Sequence, residues 1–190
     1  LQPLPELEPF HQPVLAFEKV RYVGEPVAVV VADSAAIAED ALELIDFEVD
    51  ALAPITDRAS AEKGESVLFE PHGSNRALVW TAEKGDAQAA FAKADLVLKE
   101  RFHIQRHAAM FMEPRGFVAE WNTQNKRLTV WGAAKVAWAN RRILAGAMGL
   151  DPEAIDMIEL DVGGGFGSRG EFYPEDFLIP AASRIVGRPV

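Results

Sequence analysis

Cysteine is absent from all 190 residues. No disulfide, cysteine-ligated zinc, iron–sulfur ligand or thiol nucleophile can therefore sit on this chain. The absence agrees with a cytoplasmic protein. Cations are scarce: 19 Lys and Arg stand against 29 Asp and Glu, a net charge of −10. Phosphate contacts need clustered cations, so nucleic acid is a poor partner and the acidity reads as a solubility feature. Long apolar runs are also lacking. The longest, near Val27–Ala32, is too short to span a bilayer and suits a buried strand. No charged, apolar, small-residue order marks a signal peptide. The chain starts at Leu1 rather than Met, and a piece of a longer protein is expected.

The pattern that is present predicts an α+β chain in two units, split between Asp57 and Asp86. Prolines at 3, 5, 9 and 13 block helix and ladder pairing and predict an extended lead-in. A continuous apolar run over Glu25–Asp33 predicts a strand buried on both faces. Ser34 caps a helix whose buried stripe is Ile37, Ala41 and Leu44/Ile45. A short strand over Ile45–Leu52 follows, then a linker. Asp86 caps a short helix. Strands are predicted over Leu96–Ile104, Gly116–Trp121 and Leu128–Trp131, the last two joined by a hairpin loop around Asn122–Asn125. Ala139, Ile143 and Ala147 form one stripe of a helix ended by Gly149. Asp151-Pro152 opens a short turn of helix, and Ile155–Val162 is a strand. Phe177–Val186 reads as a helix that Pro180 should kink or delay. Trp80, Trp121, Trp131 and Trp138 are assigned to core packing, because no basic residues interleave them as a stacking platform requires.

The segment DVGGGFGSRGEFYPED, Asp161–Asp176, carries the chemistry. Gly165, Gly167 and Gly170 spell a dinucleotide fingerprint after a strand. Three features oppose that reading. No acidic residue lies between Ser183 and Val190 to hold a ribose, no second parallel strand follows, and Tyr173-Pro174 delays the helix. The residues leave open a plain turn that needs positive φ. They equally leave open a loop whose backbone N–H groups approach an anionic ligand, with Phe166 lining the pocket.

That segment resembles the GGGFG loop of the large, molybdenum-binding subunit of the xanthine dehydrogenase, aldehyde oxidase and carbon monoxide dehydrogenase family. HAAMFMEPRGFVAEW and LTVWGAAKVAW resemble the stretch leading to it. VRYVGEPVAVVVADSAAIAEDALELIDFEVDALAPITD resembles the family's a/b hammerhead domain, and GRPV its continuation. The details are most similar to the carbon monoxide dehydrogenase-like branch. The resemblance implies a partial hammerhead domain over residues 1–57, a linker over 58–85 and the N-terminal part of a molybdopterin-binding domain over 86–190. It implies hydroxylation of a carbon centre in a small-molecule substrate, with water as oxygen source. The implied cofactor is molybdenum held by molybdopterin, in bacteria often the cytosine dinucleotide. FAD and [2Fe–2S] clusters would sit on partner subunits, an FAD-binding medium subunit and an iron–sulfur small subunit. The resemblance implies that the family's general-base glutamate, and the active-site cysteine loop of true carbon monoxide dehydrogenases, lie downstream of the segment seen here, so this chain alone is expected to be inactive. A non-enzymatic assembly module of the same fold is the alternative.

Carried over by position, the backbone of Gly164, Gly165, Phe166 and Gly167 is implied to lie beside the metal's apical oxygen and the pterin. No side chain of this segment is implied as a direct metal ligand. Lys135 falls where the family carries a glutamine that hydrogen-bonds the metal's oxygen. It is either that donor or an ordinary cation at a helix start. The xanthine dehydrogenase branch has a substrate-contacting glutamate at the place of Gly170. Glu171, one further on, is a candidate substrate contact or a solvated acid. His103 and His107 have the spacing of metal ligands on a helix, but they fall in strand and loop and read as structural or surface residues. Glu113-Pro114-Arg115 reads first as a surface ion pair and second as part of a substrate channel.

Overall fold

The computed structural model describes residues 4–132 and 136–190. It divides into two units. One takes the chain up to His11 together with Asp50–His107; the other takes Gln12–Val49 and Ala108–Val190.

The second unit holds the sheet. Strand β1 (Phe117–Asn122) pairs antiparallel with β2 (Arg127–Gly132), and β2 pairs parallel with β3 (Ile155–Glu159). The hairpin forms because Asn122 Oδ1 accepts the N–H groups of Gln124 and Asn125, while Lys126 turns the chain at a φ of 54°. A parallel pair needs a crossover, and helix α4 (Ala137–Met148) supplies it. Ala119, Leu128, Val130, Leu144, Ala145 and Ile155 form the buried core, with Phe172, Phe177 and Ile179 against it. Burying one such Leu or Ile side chain contributes about 1.5–3 kcal/mol. The last helix of this unit (Pro174–Val186) packs on β1. Its buried Ser183 accepts the Trp121 N–H at 2.9 Å and donates to the Arg188 carbonyl at 2.8 Å. Val190 and Ala119 exchange both backbone hydrogen bonds across the free edge of β1. Helix α1 (Ala35–Leu42) begins at Ser34, whose hydroxyl accepts the Ile37 N–H.

The first unit contains two short helices, α2 (Arg58–Lys63) and α3 (Ala87–Lys93), capped by Asp57 and Asp86. The segment read as a linker thus carries a helix of its own. Asn75 stitches it further, donating to the Ala61 and Ser66 carbonyls and accepting the Leu68 N–H. Pro5–Phe10, expected as extended, forms 3-10 turns with Pro at the N-terminal position.

Several other expectations fail. No strand forms over 25–33, 45–52 or 96–104 among the described residues. An apolar run records a demand for burial, but a strand also needs a continuous ladder of backbone bonds; among the described residues the run over 25–33 receives a single one from a distant segment, Ala16 N–H to the Pro26 carbonyl at 2.7 Å. Val29, Val31, Phe47, Phe102 and Ile104 are accordingly exposed. Helix α1 buries none of its residues. The α4 stripe is rotated by one position: Asn140, Leu144 and Ala145 face inward, and Ile143 is 46% exposed. Trp80 and Trp138 are exposed, so core packing fails for them. The helix expected at Phe177 begins at Pro174, a favoured first position, and runs through a buried Pro180. An interior proline loses one helical hydrogen bond and crowds the carbonyl four residues back, a cost that burial of the Pro180 ring helps offset. The strand read to Val162 stops at Glu159, three residues short and four before the glycine run opens at Gly163.

Candidate functional site

The loop after β3 is built on unusual backbone. Gly164 has φ 96° and Gly167 φ 87°, and between them Phe166 has φ 44°, while Gly165 is not among the positive-φ residues. Alternation of hand along Gly164, Gly165 and Phe166 is the pattern of a backbone nest that binds anions. A left-handed φ costs a phenylalanine about 1–2 kcal/mol, and such outliers gather at functional sites. The Phe166 ring is 73% exposed and folds back over Gly164, where an added Cβ would lie 2.9 Å from the ring edge. The N–H groups of Gly164, Gly165, Phe166 and Gly167 donate to no acceptor among the described residues. The Gly165 carbonyl is occupied, accepting from Ser168 N–H at 2.9 Å and from its hydroxyl at 3.3 Å. Four N–H groups of the loop are thus left open among the described residues, while the Gly165 carbonyl is satisfied within the loop.

Two ion-pair systems flank it. Glu113 Oε2 accepts the Gly163 N–H at 2.5 Å and pairs with Arg169 Nη1 at 3.0 Å. Arg169 Nη2 donates back to the Glu113 carbonyl, and its guanidinium lies 4.3 Å from the Phe111 ring centre. Arg169 is 2% exposed, with its Nε unpartnered among the described residues. In the second system Arg115 donates to Glu175 Oε1 at 2.6 Å and to Asp176 Oδ2, and packs over Tyr173 at 4.1 Å. Asp176 also accepts the Tyr173 N–H at 2.8 Å. Tyr173 Oη reaches back to the Ser168 carbonyl at 2.9 Å. Burial pushes the Asp176 carboxyl above its ordinary value, against the opposing pull of the Tyr173 N–H and Arg115.

Among the expected site residues, Gly164, Gly165, Phe166 and Gly167 form one loop. Glu171 follows it, exposed, its N–H bonded to the Ser168 carbonyl. Lys135 lies outside the described residues. His103 and His107 are exposed, and no group of metal-ligating side chains occurs among the described residues. Glu113 and Arg115 do form ion pairs: the exposed Glu113 meets the buried Arg169, and Arg115 joins the buried Asp176 to the half-exposed Glu175. Arg169, Tyr173 and Asp176 were not singled out as site residues. The signal was thin, because a buried arginine looks like a surface one in sequence until its partner is known.

A loop of open backbone donors, placed after a strand and braced by ion pairs, has the chemistry to meet an oxygen-rich anionic group. Comparison with known proteins makes the assignment. The family model of the molybdopterin cofactor-binding domain matches residues 69–190, and that of the aldehyde oxidase and xanthine dehydrogenase a/b hammerhead domain matches residues 3–53. The chain belongs to the family of molybdenum hydroxylase large subunits, with the hammerhead domain followed by the start of the molybdopterin-binding domain. It is 36% identical over 184 residues to the 6-hydroxypseudooxynicotine dehydrogenase complex subunit gamma of Paenarthrobacter nicotinovorans, covering 97% of this chain and 23% of that protein. It is 30% identical to the carbon monoxide dehydrogenase large chain of Afipia carboxidovorans, covering 98% of this chain and 25% of that one. Among solved structures, quinoline 2-oxidoreductase from Pseudomonas putida 86 superposes with a TM-score of 0.82 at 34% identity, covering 94% of this chain and 23% of that chain. The chain thus spans about a quarter of the length of the relatives it matches. Among the described residues no helix is long and apolar enough to cross a membrane.

Proposed function

We propose that this chain is part of a molybdopterin-dependent hydroxylase in which the backbone of Gly164, Gly165, Phe166 and Gly167 holds the cofactor, with Lys135 beside it. One observation carries the reading: among the described residues, four consecutive N–H groups lack an acceptor on a loop with positive φ at Gly164, Phe166 and Gly167. Such donors fit a group rich in negatively charged oxygen. When bound, molybdenum with its pterin supplies a two-electron acceptor at which a carbon centre is hydroxylated with oxygen from water. The chain's own part is binding and orientation. The four N–H groups direct hydrogen bonds, and the exposed Phe166 ring sets an apolar face beside them. Glu171 is the proposed carboxylate on the substrate side.

Relatives named for nicotine 6-hydroxylation and quinoline 2-oxidoreduction share 36% and 34% identity with this chain. A nitrogen heterocycle is therefore the substrate class we propose to assay first. The cytosine dinucleotide form of the pterin, FAD and [2Fe–2S] on medium and small partner subunits, and a cytoplasmic location complete the proposal. So do domain limits at 1–57, 58–85 and 86–190.

The test is metal and pterin analysis of the full-length protein purified with its co-purifying subunits. Stoichiometric molybdenum and pterin are expected. A folded protein lacking both overturns the reading. Saturable NAD or FAD binding by this chain would then favour a dinucleotide site, and its absence an assembly module.

A further inference from the structure

Gly163 does not share the task of the glycines that follow it. It is not among the positive-φ residues, and its N–H is already taken by Glu113. Its missing side chain has another reason: a Cβ there would stand 2.7 Å from the Glu113 Cβ and 2.9 Å from its carboxylate. The first glycine of the run thus admits Glu113, whereas the later ones permit the turn.

Glu113 holds both ends of the loop at once. Its carboxylate accepts the Gly163 N–H at the entry and pairs with Arg169 at the exit. Arg169 returns a second bond to the Glu113 backbone and lies against Phe111. The four open N–H groups lie between these two anchors. The anchors join residues far apart in sequence, with separations of 50 and 56.

We propose that Glu113 and Arg169 are positioning residues: a charged clamp that sets the span of the Gly164–Gly167 loop and so the retention and orientation of what its N–H groups hold. The proposal rests on the reading of the loop given above. Neither residue touches the cofactor in this assignment; both act through the backbone between them.

The experiment uses the full-length protein with its co-purifying subunits, as wild type, Glu113→Gln, Arg169→Lys and Gly164→Ala. Three quantities are measured: molybdenum and pterin content, the rate of pterin release into buffer, and the line shape of the Mo(V) electron paramagnetic resonance signal. Supporting residues around metal sites commonly alter retention by about 10–100-fold. Release at least about tenfold faster, with an altered line shape, is expected for both clamp variants. A lowered unfolding midpoint with unchanged release and line shape marks a structural brace only and overturns the clamp. If Glu113→Gln does not assemble, Arg169→Lys, which keeps the buried charge, decides alone. Gly164→Ala separates the two readings. If it too leaves pterin content and release unchanged, the assignment of the loop fails; if it alone changes them, only the clamp fails.

Discussion

Arg115 reaches across 61 positions to Asp176, yet burial rather than the guanidinium sets that carboxyl's affinity for its proton. The folded value is raised above the ordinary 3.8. The folded state then binds the proton more tightly than the unfolded chain does. The stability this contributes is fully present below pH 3.8 and is lost as pH rises through the raised value. Asp176→Asn removes the titration. Across acid to neutral pH, the unfolding midpoint of the wild-type full-length protein should fall relative to that variant. A rise instead would mean that the attraction of Arg115 outweighs burial.

The hydroxyl of Ser183 joins three elements through Trp121 and Arg188. Ser183→Ala leaves the Trp121 N–H without its acceptor beneath the last helix. A cost of about 1–3 kcal/mol is expected, together with faster amide exchange at Trp121. Exchange at the wild-type rate would show that another acceptor replaces the hydroxyl.

Alanine at Gly163 and at Gly167 should fail for different reasons. At Gly163 the new methyl meets Glu113, a crowding cost of about 1–3 kcal/mol. A structure of that variant should show the carboxylate displaced from the loop entry. At Gly167 there is open space but a φ of 87°, which costs alanine about 1–2 kcal/mol without moving Glu113. Displacement of Glu113 in both variants, or in neither, contradicts the distinction.

The 190-residue chain by itself should turn over no substrate, because the residues proposed here bind and orient but supply no general base. Val23 and Met112 in one unit, and Trp80, Phe102 and Ile104 in the other, stand exposed, and large apolar side chains left in water favour association. The chain should therefore bind a hydrophobic dye and self-associate. Robust hydroxylase activity from the chain alone defeats the first expectation, and a dye-silent monomer the second.

Much of the local structure was legible in advance. Ser34, Asp86 and Asp151 each accept a backbone N–H two or three residues on, and Gly149 ends its helix at a φ of 64°. The hairpin at Asn122 followed from side-chain bonds within three residues. The glycine run stood out as a place for positive φ, which Gly164 and Gly167 adopt. The apolar run over 25–33 misled, since hydrophobicity says that a segment needs cover without saying what provides it. The phase of α4 misled too: Ala139, Ile143 and Ala147 make as good a stripe on paper as Asn140 and Leu144.

The sequence by itself determined what depends on neighbours along the chain: caps, the tight turn, the exclusion of thiol chemistry and the glycine loop's capacity for left-handed backbone. The tertiary structure decided which charges face which. Arg169 is an unremarked basic residue until folding places it, 2% exposed, against Glu113 and Phe111. Gly163 looks like its neighbours until the Glu113 side chain occupies the space its own would need. The reason is one of range. A cap or turn closes over two or three residues, where few arrangements compete. The bonds that brace the loop span 50 to 61 positions, and only the packed core brings those positions together.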